Sequence, residues 1–564
     1  MRNILLIFFF LLLISSSPAQ DIYVPPANKE IESFLDELSS EHLIEVNSVI
    51  RPYSRAFILQ KLLEAEAVSN KLNNLQQKEL IEFLACYHPV TAKHFTFSPN
   101  PISLIWVSPP LLQERGPGGE VNFRHASQTR ASIGGELKNP AKSFSLTLVP
   151  MINEQYSMNE NGVINKSEIG AGIFGNIGKH LGFSFGIIRG FQSERLADPV
   201  MFTMEPGQKW NSYSTGGGYY TDWTGQVMAS WKWGSFGIIK DRFTWGNNYH
   251  GATIFSDKPP SFPHIRLHVK PAKWIEFNYI SGILQSAVVD SNRTFTGEGN
   301  GSTTYYRQKY MTANLVTFIP WKYLDISFGN SVIYGDKFEL AYTIPVLFYK
   351  SIDHTMNPEP GLTGGTNAQM FLDISSRQIR HLHLYLTLFV DEFKISRITS
   401  KNEHNFLGWK GGFRLSGFPV RNLTFTAEGT RTLPFVYQHN VNITTFESDA
   451  FNLGNWLRDN SQEIWLSLEY RPLSRLAMAF SYTYSWHGDN YVYATEPDPT
   501  TVAVFRNMTW QNRSFLLSAS WSLAGNACVF ISYENSLKRG DVIFNSPSFQ
   551  GGTNTVSAGV RVGF

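Results

Sequence analysis

The sequence predicts an all-β transmembrane barrel of about 18 antiparallel strands behind a small N-terminal α-helical segment. Three features predict it. Apolar and polar residues alternate with period two over most of the chain, tight and long connections alternate between those segments, and the last segment closes on an aromatic residue.

At the start of the chain, Arg2 supplies a positive n-region and Ile4 to Ile14 is almost unbroken apolar sequence. Ser17-Pro18-Ala19 then offers a small-residue cleavage pattern, so residues 1–19 read as an export signal cut after Ala19. The apolar core is shorter than the roughly 20 residues of a spanning helix. No cysteine follows it, which excludes lipoprotein processing, and no second long apolar run appears. Any membrane crossing must therefore use strands, because only helices and closed barrels satisfy their backbones in lipid.

Composition agrees. Charged residues make up 17% of the chain and aromatic residues 14%, which suits a lipid-facing wall poor in charge with aromatic girdles at both interfaces. A net charge of +2 argues against nucleic acid as a partner. Cys86 and Cys528 lie in segments of different character and are expected as two isolated thiols, with a disulfide as the alternative. No metal framework or cofactor motif is present.

Residues 20–98 form the helical segment. Ile31, Phe34, Leu35 and Leu38 share one helical face, as do Leu80, Phe83, Leu84 and Tyr87. Ser54 is placed to cap a helix holding Ile58, Leu59, Leu62 and Leu63, and Asn74 with Gln77 resembles a capping box for a third. Three short amphipathic helices bury little by themselves, so they are expected to pack against the barrel mouth.

Residues 99–564 are expected to form the barrel. In the clearest hairpin, Glu463 to Trp486, the second strand sets Leu476, Met478, Phe480, Tyr482, Tyr484 and Trp486 against Ala477, Ala479, Ser481, Thr483 and Ser485. Leu382, Leu384, Leu386, Leu388 and Val390 alternate likewise with His381, His383, Tyr385, Thr387 and Phe389. Tight links such as Lys270 to Lys273, Arg471 to Arg475 and Leu523 to Ala527 carry the Arg and Lys residues. They interleave with long polar links such as Gln192 to Thr221, Arg431 to Ser461 and His487 to Trp510. Short periplasmic turns and long external loops are the rule in such barrels. The final segment, Val556, Ala558, Val560, Val562 and Phe564, resembles the signal read by the barrel assembly machinery. The segment from Glu339 to Tyr349 breaks the rhythm and is expected to belong to a folded insert between Tyr334 and Thr366 that helps to fill the lumen.

Several stretches are more specific. Lys240-Asp241-Arg242-Phe243-Thr244-Trp245-Gly246 continues through Tyr249-His250-Gly251 to Phe255-Ser256-Asp257, with Pro259-Pro260 and Phe262 beyond. With Glu339 to Tyr349, Leu388 to Lys394 and Arg51-Pro52-Tyr53-Ser54-Arg55, it resembles the Wzi family of capsule-assembly proteins. Together these pieces resemble the Bacteroidetes-type members of that family, including the gliding-motility relative RemB. The resemblance implies a barrel of about 18 strands in the outer membrane with periplasmic helices beneath it. It also implies a lectin that holds surface or capsular polysaccharide and is not its exporter. A passive channel, or a scaffold for adhesion or gliding, is the alternative.

Candidate carbohydrate contacts are Asp241, Arg242, Trp245, Asn247, Asn248 and Tyr249 at one loop base, with Asp391 and Glu392 at another. Aromatic faces stack on sugar rings, while Asp, Asn and Arg bridge adjacent hydroxyls. The structural alternative is lumen ion pairs and a girdle tryptophan. Adjacent carboxylates on a strand face opposite ways, which disfavours glycosidase chemistry at Asp391 and Glu392. Gly182-Phe183-Ser184-Phe185-Gly186 matches an esterase pattern but lies within period-two sequence, where no nucleophile elbow forms. His381 and His383 share a face without an evident third metal ligand. The protein is therefore expected to be non-enzymatic, with outer-membrane lipid as its solvent.

Overall fold

The computed structural model describes residues 21–24, 29–87, 132–135 and 144–563, apart from short gaps at 179, 214–215, 297–301, 357–365 and 525–526. The expected signal at 1–19, the boundary at 98/99 and the terminal Phe564 lie outside the described residues.

Eighteen antiparallel strands close into a barrel. In chain order they begin with β1 Phe144–Asn159, β2 Gly162–Ile177, β3 Leu181–Gln192, β4 Gly218–Trp231, β5 Gly234–Asp241 and β6 Phe262–Ala272. Next come β7 Ile275–Leu284, β8 Lys309–Trp321, β9 Leu324–Gly335, β10 Thr366–Ser376, β11 Leu382–Glu392 and β12 Phe406–Ser416. The wall ends with β13 Leu423–Thr432, β14 Ser461–Leu473, β15 Leu476–His487, β16 Trp510–Ala524, β17 Ala527–Gly540 and β18 Gly551–Val562. Val556 to Val562 of β18 pair with Met158 to Ile152 of β1 and close the ring. Closure leaves no exposed sheet edge.

Period-two patterning sets the register. In β11, Leu384 and Leu386 point outward and are each 43% exposed, while His383, Tyr385, Thr387 and Phe389 are buried in the lumen. Trp233, Trp274 and Trp321 project outward beside the tight turns, forming an interfacial girdle at that end. Ser184 sits in the regular strand β3, opposite Gln226, with no strand-to-helix elbow around it. Cys86 and Cys528 are not joined to each other in a disulfide.

Among the described residues three α-helices precede the wall: α1 Lys29–Ser40, α2 Arg55–Glu66 and α3 Asn74–Tyr87. Ile31, Phe34, Leu35, Leu38, Ile58, Leu62 and Leu80 form their shared core, whereas Leu63 is exposed. Ser54 caps α2, accepting from the Phe57 N–H at 3.2 Å. The capping box of α3 is one residue earlier than the sequence pattern placed it. Asn73 Oδ1 accepts from the Leu75 and Gln76 N–H groups, and Gln76 Oε1 accepts from the Asn73 N–H. Asn73 and Gln76 have the same spacing as Asn74 and Gln77, so the pattern alone could not choose between them.

The helices dock across the tight-turn end of the barrel. His381 N–H donates to Ser40 O at 2.6 Å, Asn73 Nδ2 donates to Asn422 at 3.3 Å, and Arg471 pairs with both Glu37 and Glu79.

The described part of the insert after β9, residues 336–356, goes the opposite way from its expected course: it lies on the outer face of the wall, not in the lumen. Register places Tyr279, Asn314 and Asn330 side by side on the lipid-facing side of β7, β8 and β9. Asn314 Nδ2 donates to Pro345 O and Leu347 O at 2.8 and 2.9 Å, Tyr279 OH donates to Thr343 O, and Asn330 accepts from the Tyr349 N–H. Tyr342 and Tyr349, the latter opening helix α4 Tyr349–Met356, bury Val332 and Tyr334 of the wall. The strap's own apolar side chains, Leu340 (73% exposed) and Val346 (76% exposed) above all, turn outward. It therefore covers wall amides that lipid could not satisfy and presents an apolar surface in their place.

Candidate functional site

The loop between β5 and β6, residues 242–261, turns inward and meets residues 47–51, which rise from the helical segment at the opposite end. Ile50 and Arg51 pair with Trp245 and Thr244 as a two-stranded sheet inside the lumen. Gly246 N–H donates to Val49 O at 2.8 Å, and Trp245 N–H donates to Phe255 O at 2.9 Å. Gly246 has φ +95°, and a Cβ there would press on Thr387 of the wall at 3.1 Å, so the turn requires glycine.

Around this sheet is an aromatic core. The Trp245 ring is fully buried, edge-on to Phe255 at 5.3 Å. Phe255 stacks on Phe446, and Phe446 meets Phe389 of β11 at 5.1 Å. Phe371 and Leu315 bring the wall into the same cluster.

A polar ring clamps the loop tip to the wall. Asn247 N–H and its side-chain amide both donate to the Asp373 carboxylate of β10, while Ser48 donates to Asn247 Oδ1. Glu428 of β13 accepts the Tyr249 and His250 N–H groups at 2.7 and 2.8 Å, together with the Tyr385 hydroxyl at 2.6 Å. Lys410 of β12 pairs with Glu428 at 3.2 Å and donates to His250 O at 2.7 Å. The Tyr249 hydroxyl bonds His383, its ring lies under the Arg414 guanidinium at 4.5 Å, and His250 contacts Glu463. From below, Asp36 of α1 accepts from Arg51 at 2.7 Å and from Arg377 at 3.1 Å. Burial pushes the carboxyl of Glu32, which also lies on α1 and faces Arg51, up to about 6.

A roof covers the loop end. Glu194 in the 193–217 link accepts from Ser546 and Ser548 in the link before β18. Phe202 stacks on Phe544 at 4.7 Å, and Gly207 N–H donates to Lys258 O. Burial pulls the Lys258 ammonium, which donates to the carbonyls of Thr203 and Glu205, down to about 7.

The sequence-derived candidates divide accordingly. Trp245, Asn247 and Tyr249 come together inside the plug, the first two buried and Tyr249 half-buried and bonded to the wall, so they do not form a sugar-stacking rim. Asn248 donates to Gly246 O and its own carbonyl accepts from Arg51. Asp241 accepts from the Arg242 N–H, while Arg242 pairs with Asp222 at 2.9 Å and donates to Pro259 O and Gly207 O. Asp391 faces the lumen and accepts from the Tyr437 N–H, whereas Glu392 pairs with Arg397 at 2.9 Å, so the two carboxylates do not converge. His381 and His383 separate too, one to Ser416 O and the other to Tyr249 and Ser375. Among the described residues no group of three or more His, Cys, Asp or Glu is placed to hold a metal.

Asp373, Lys410, Arg414, Glu428 and Glu463 were missed as plug contacts. Their signal was available, since each is a charged residue at an inward position of its strand.

No family model matches the chain, and no curated protein matches it. Among solved structures it is similar to Wzi of Escherichia coli, described as an outer membrane protein involved in group 1 capsule assembly and a carbohydrate-binding β-barrel. That likeness has a TM-score of 0.55 at 10% identity and covers 97% of this chain and 100% of the other. OccD3 of Pseudomonas aeruginosa matches at TM-score 0.40 and 12% identity, over 74% of this chain and 90% of its own. OccAB2 of Acinetobacter baumannii matches at 0.40 and 9%, over 74% and 97%. The chain thus shares with the Escherichia coli Wzi barrel its closed antiparallel fold over nearly the full length of both.

Proposed function

We propose that this protein is a non-enzymatic outer-membrane barrel of the Wzi type that holds surface polysaccharide at its external, long-loop end, with its helices in the periplasm. The observation that carries the reading is the plug. A channel needs a water-filled lumen, whereas here an inserted loop and an N-terminal strand join in the lumen around a buried tryptophan. The similarity in fold to a carbohydrate-binding barrel supports the same reading.

With Trp245 buried, and Tyr249 half-buried with its hydroxyl on His383 and its N–H on Glu428, the sugar contacts belong elsewhere on the loop end. The β7–β8 link supplies Tyr305 and Tyr306, 37% and 45% exposed, with the Arg293 guanidinium 4.9 Å over the Tyr305 ring. Exposed aromatic faces held on a short hairpin offer apolar area to a sugar ring at roughly 25 cal/mol per Å² buried.

Two measurements test the proposal. The purified barrel should bind the host's own capsular polysaccharide, and the double variant Tyr305→Ala/Tyr306→Ala should bind it about tenfold more weakly, which is roughly 1.4 kcal/mol. Planar bilayers should show no steady conductance. Absence of binding by the parent protein together with a stable open channel would make it a porin. Unchanged binding by the variant would remove the two tyrosines from the site.

A further inference from the structure

On the outer wall, three neighbouring strands form a recess of a different kind. Tyr482 and Tyr484 of β15, Gln511 and Arg513 of β16, and Leu537 and Arg539 of β17 line a cavity of about 470 Å³. Register puts all six on the lipid-facing side: Tyr484 is opposite Arg513, Arg513 opposite Leu537, and Gln511 opposite Arg539. The recess lies at the long-loop ends of these strands. Below it, past the hydrogen-bonded pair Asn535 and Asn554, the same face is apolar, with Phe480, Leu517, Ile531 and Val556 all exposed. The step from apolar to polar marks where the hydrocarbon ends and headgroups begin.

We propose that this recess binds the net-anionic, phosphate-bearing headgroup of a membrane lipid whose acyl chains lie along Phe480, Leu517 and Ile531. Arg513 and Arg539 are diagonal cross-strand neighbours, a spacing of about 7–8 Å that one phosphate can bridge. Among the described residues neither makes an ion pair with a carboxylate, and the Arg513 guanidinium lies 5.5 Å over Phe515. Two like charges at the edge of a low-dielectric slab repel each other, and an anion between them converts that repulsion into charge-assisted hydrogen bonds. Guanidinium groups suit phosphate because they donate in a planar fork. Gln511 Nε2 donates to the Tyr484 hydroxyl at 2.8 Å, which leaves the tyrosine proton free to donate to a headgroup oxygen. This site requires the barrel to be in a membrane but is independent of polysaccharide binding, so either can fail alone.

The test uses the full chain in mixed micelles of phosphatidylcholine with phosphatidylglycerol or lipopolysaccharide, with retained lipid counted by native mass spectrometry. The parent should retain the phosphate-bearing anionic lipid over phosphatidylcholine. Arg513→Gln/Arg539→Gln should weaken that retention about tenfold, and the Arg513→Lys/Arg539→Lys pair should recover part of it. Tyr484→Phe keeps both charges, and serves if the double variant does not assemble; it should lose retention by about threefold. Equal retention of zwitterionic and anionic lipid, unchanged retention in these variants, or displacement of the lipid by inorganic phosphate would each overturn the proposal. The last result would identify a free-anion site.

Discussion

At the residue scale, Trp245 shows how burial reassigns a side chain. Its composition and neighbours resemble a sugar platform, but its ring is fully enclosed between the lumen sheet and Phe255. Replacing a buried aromatic by alanine leaves a cavity and costs about 3–5 kcal/mol. That loss falls on the plug, because the strand ladders of the wall do not involve this ring. Trp245→Ala is therefore expected to assemble normally and migrate as a heat-modifiable barrel. It should nevertheless pass ions in planar bilayers, because the loop is no longer anchored. Polysaccharide retention should change far less than in the Tyr305 and Tyr306 variant. A Trp245→Ala protein that remains electrically silent yet loses the polysaccharide would restore the ring to a binding role.

At the element scale, the strap after β9 is the segment whose placement matters most. Asn314 and Asn330 share a hydrogen bond of 2.7 Å on the outer face, and the strap's carbonyls and Tyr349 N–H supply their remaining partners. Each polar group left against lipid without a partner costs about 1–3 kcal/mol. Replacing residues 339–348 by a short Gly-Ser link should therefore lower the yield of folded barrel. Adding Asn314→Leu and Asn330→Leu to the same deletion should restore it, because the outer face then needs no cover. If deletion alone is harmless, the wall amides find partners without the strap. If the leucines do not rescue, the strap stabilises the barrel by another route. The exposed positions Leu340, Ile344, Val346 and Phe348 fit the same account, since a lipid-facing cover must itself be apolar.

At the scale of the whole molecule, the helical segment and the wall are joined through the lumen. Asp36 of α1 holds Arg51 and Arg377, and Arg51 in turn lies 5.5 Å over the Tyr249 ring. Removing residues 29–87 takes away Ile50 and Arg51, hence one strand of the lumen sheet, and leaves Arg377 without its carboxylate. The wall keeps every strand–strand ladder and should still fold. Conductance should rise, and hydrogen exchange at the Gly246 N–H should accelerate because its partner, Val49 O, is removed. A truncated barrel that folds and stays silent would mean that the loop from 242 to 261 closes the lumen by itself.

The sequence by itself determined the class of fold, because strand parity is a local property. Each alternation, such as Leu476 to Trp486 against Ala477 to Ser485, fixes which side chains meet lipid, and each tight Arg- or Lys-bearing link marks one end of the wall. Amphipathic helices and the Ser54 cap were legible for the same reason, since their periodicity needs only a few neighbouring residues. Only the tertiary structure decided where the long connections go. The 242–261 loop enters the lumen because Asp373, Lys410 and Glu428 stand on inward positions more than a hundred residues away, and the insert after β9 leaves it because Asn314 and Asn330 stand on outward ones. Both stretches carry aromatic and polar residues in similar measure, so composition could not tell a plug from a strap. The physical difference is the solvent each must exclude, and that is set by partners assembled only when the barrel closes.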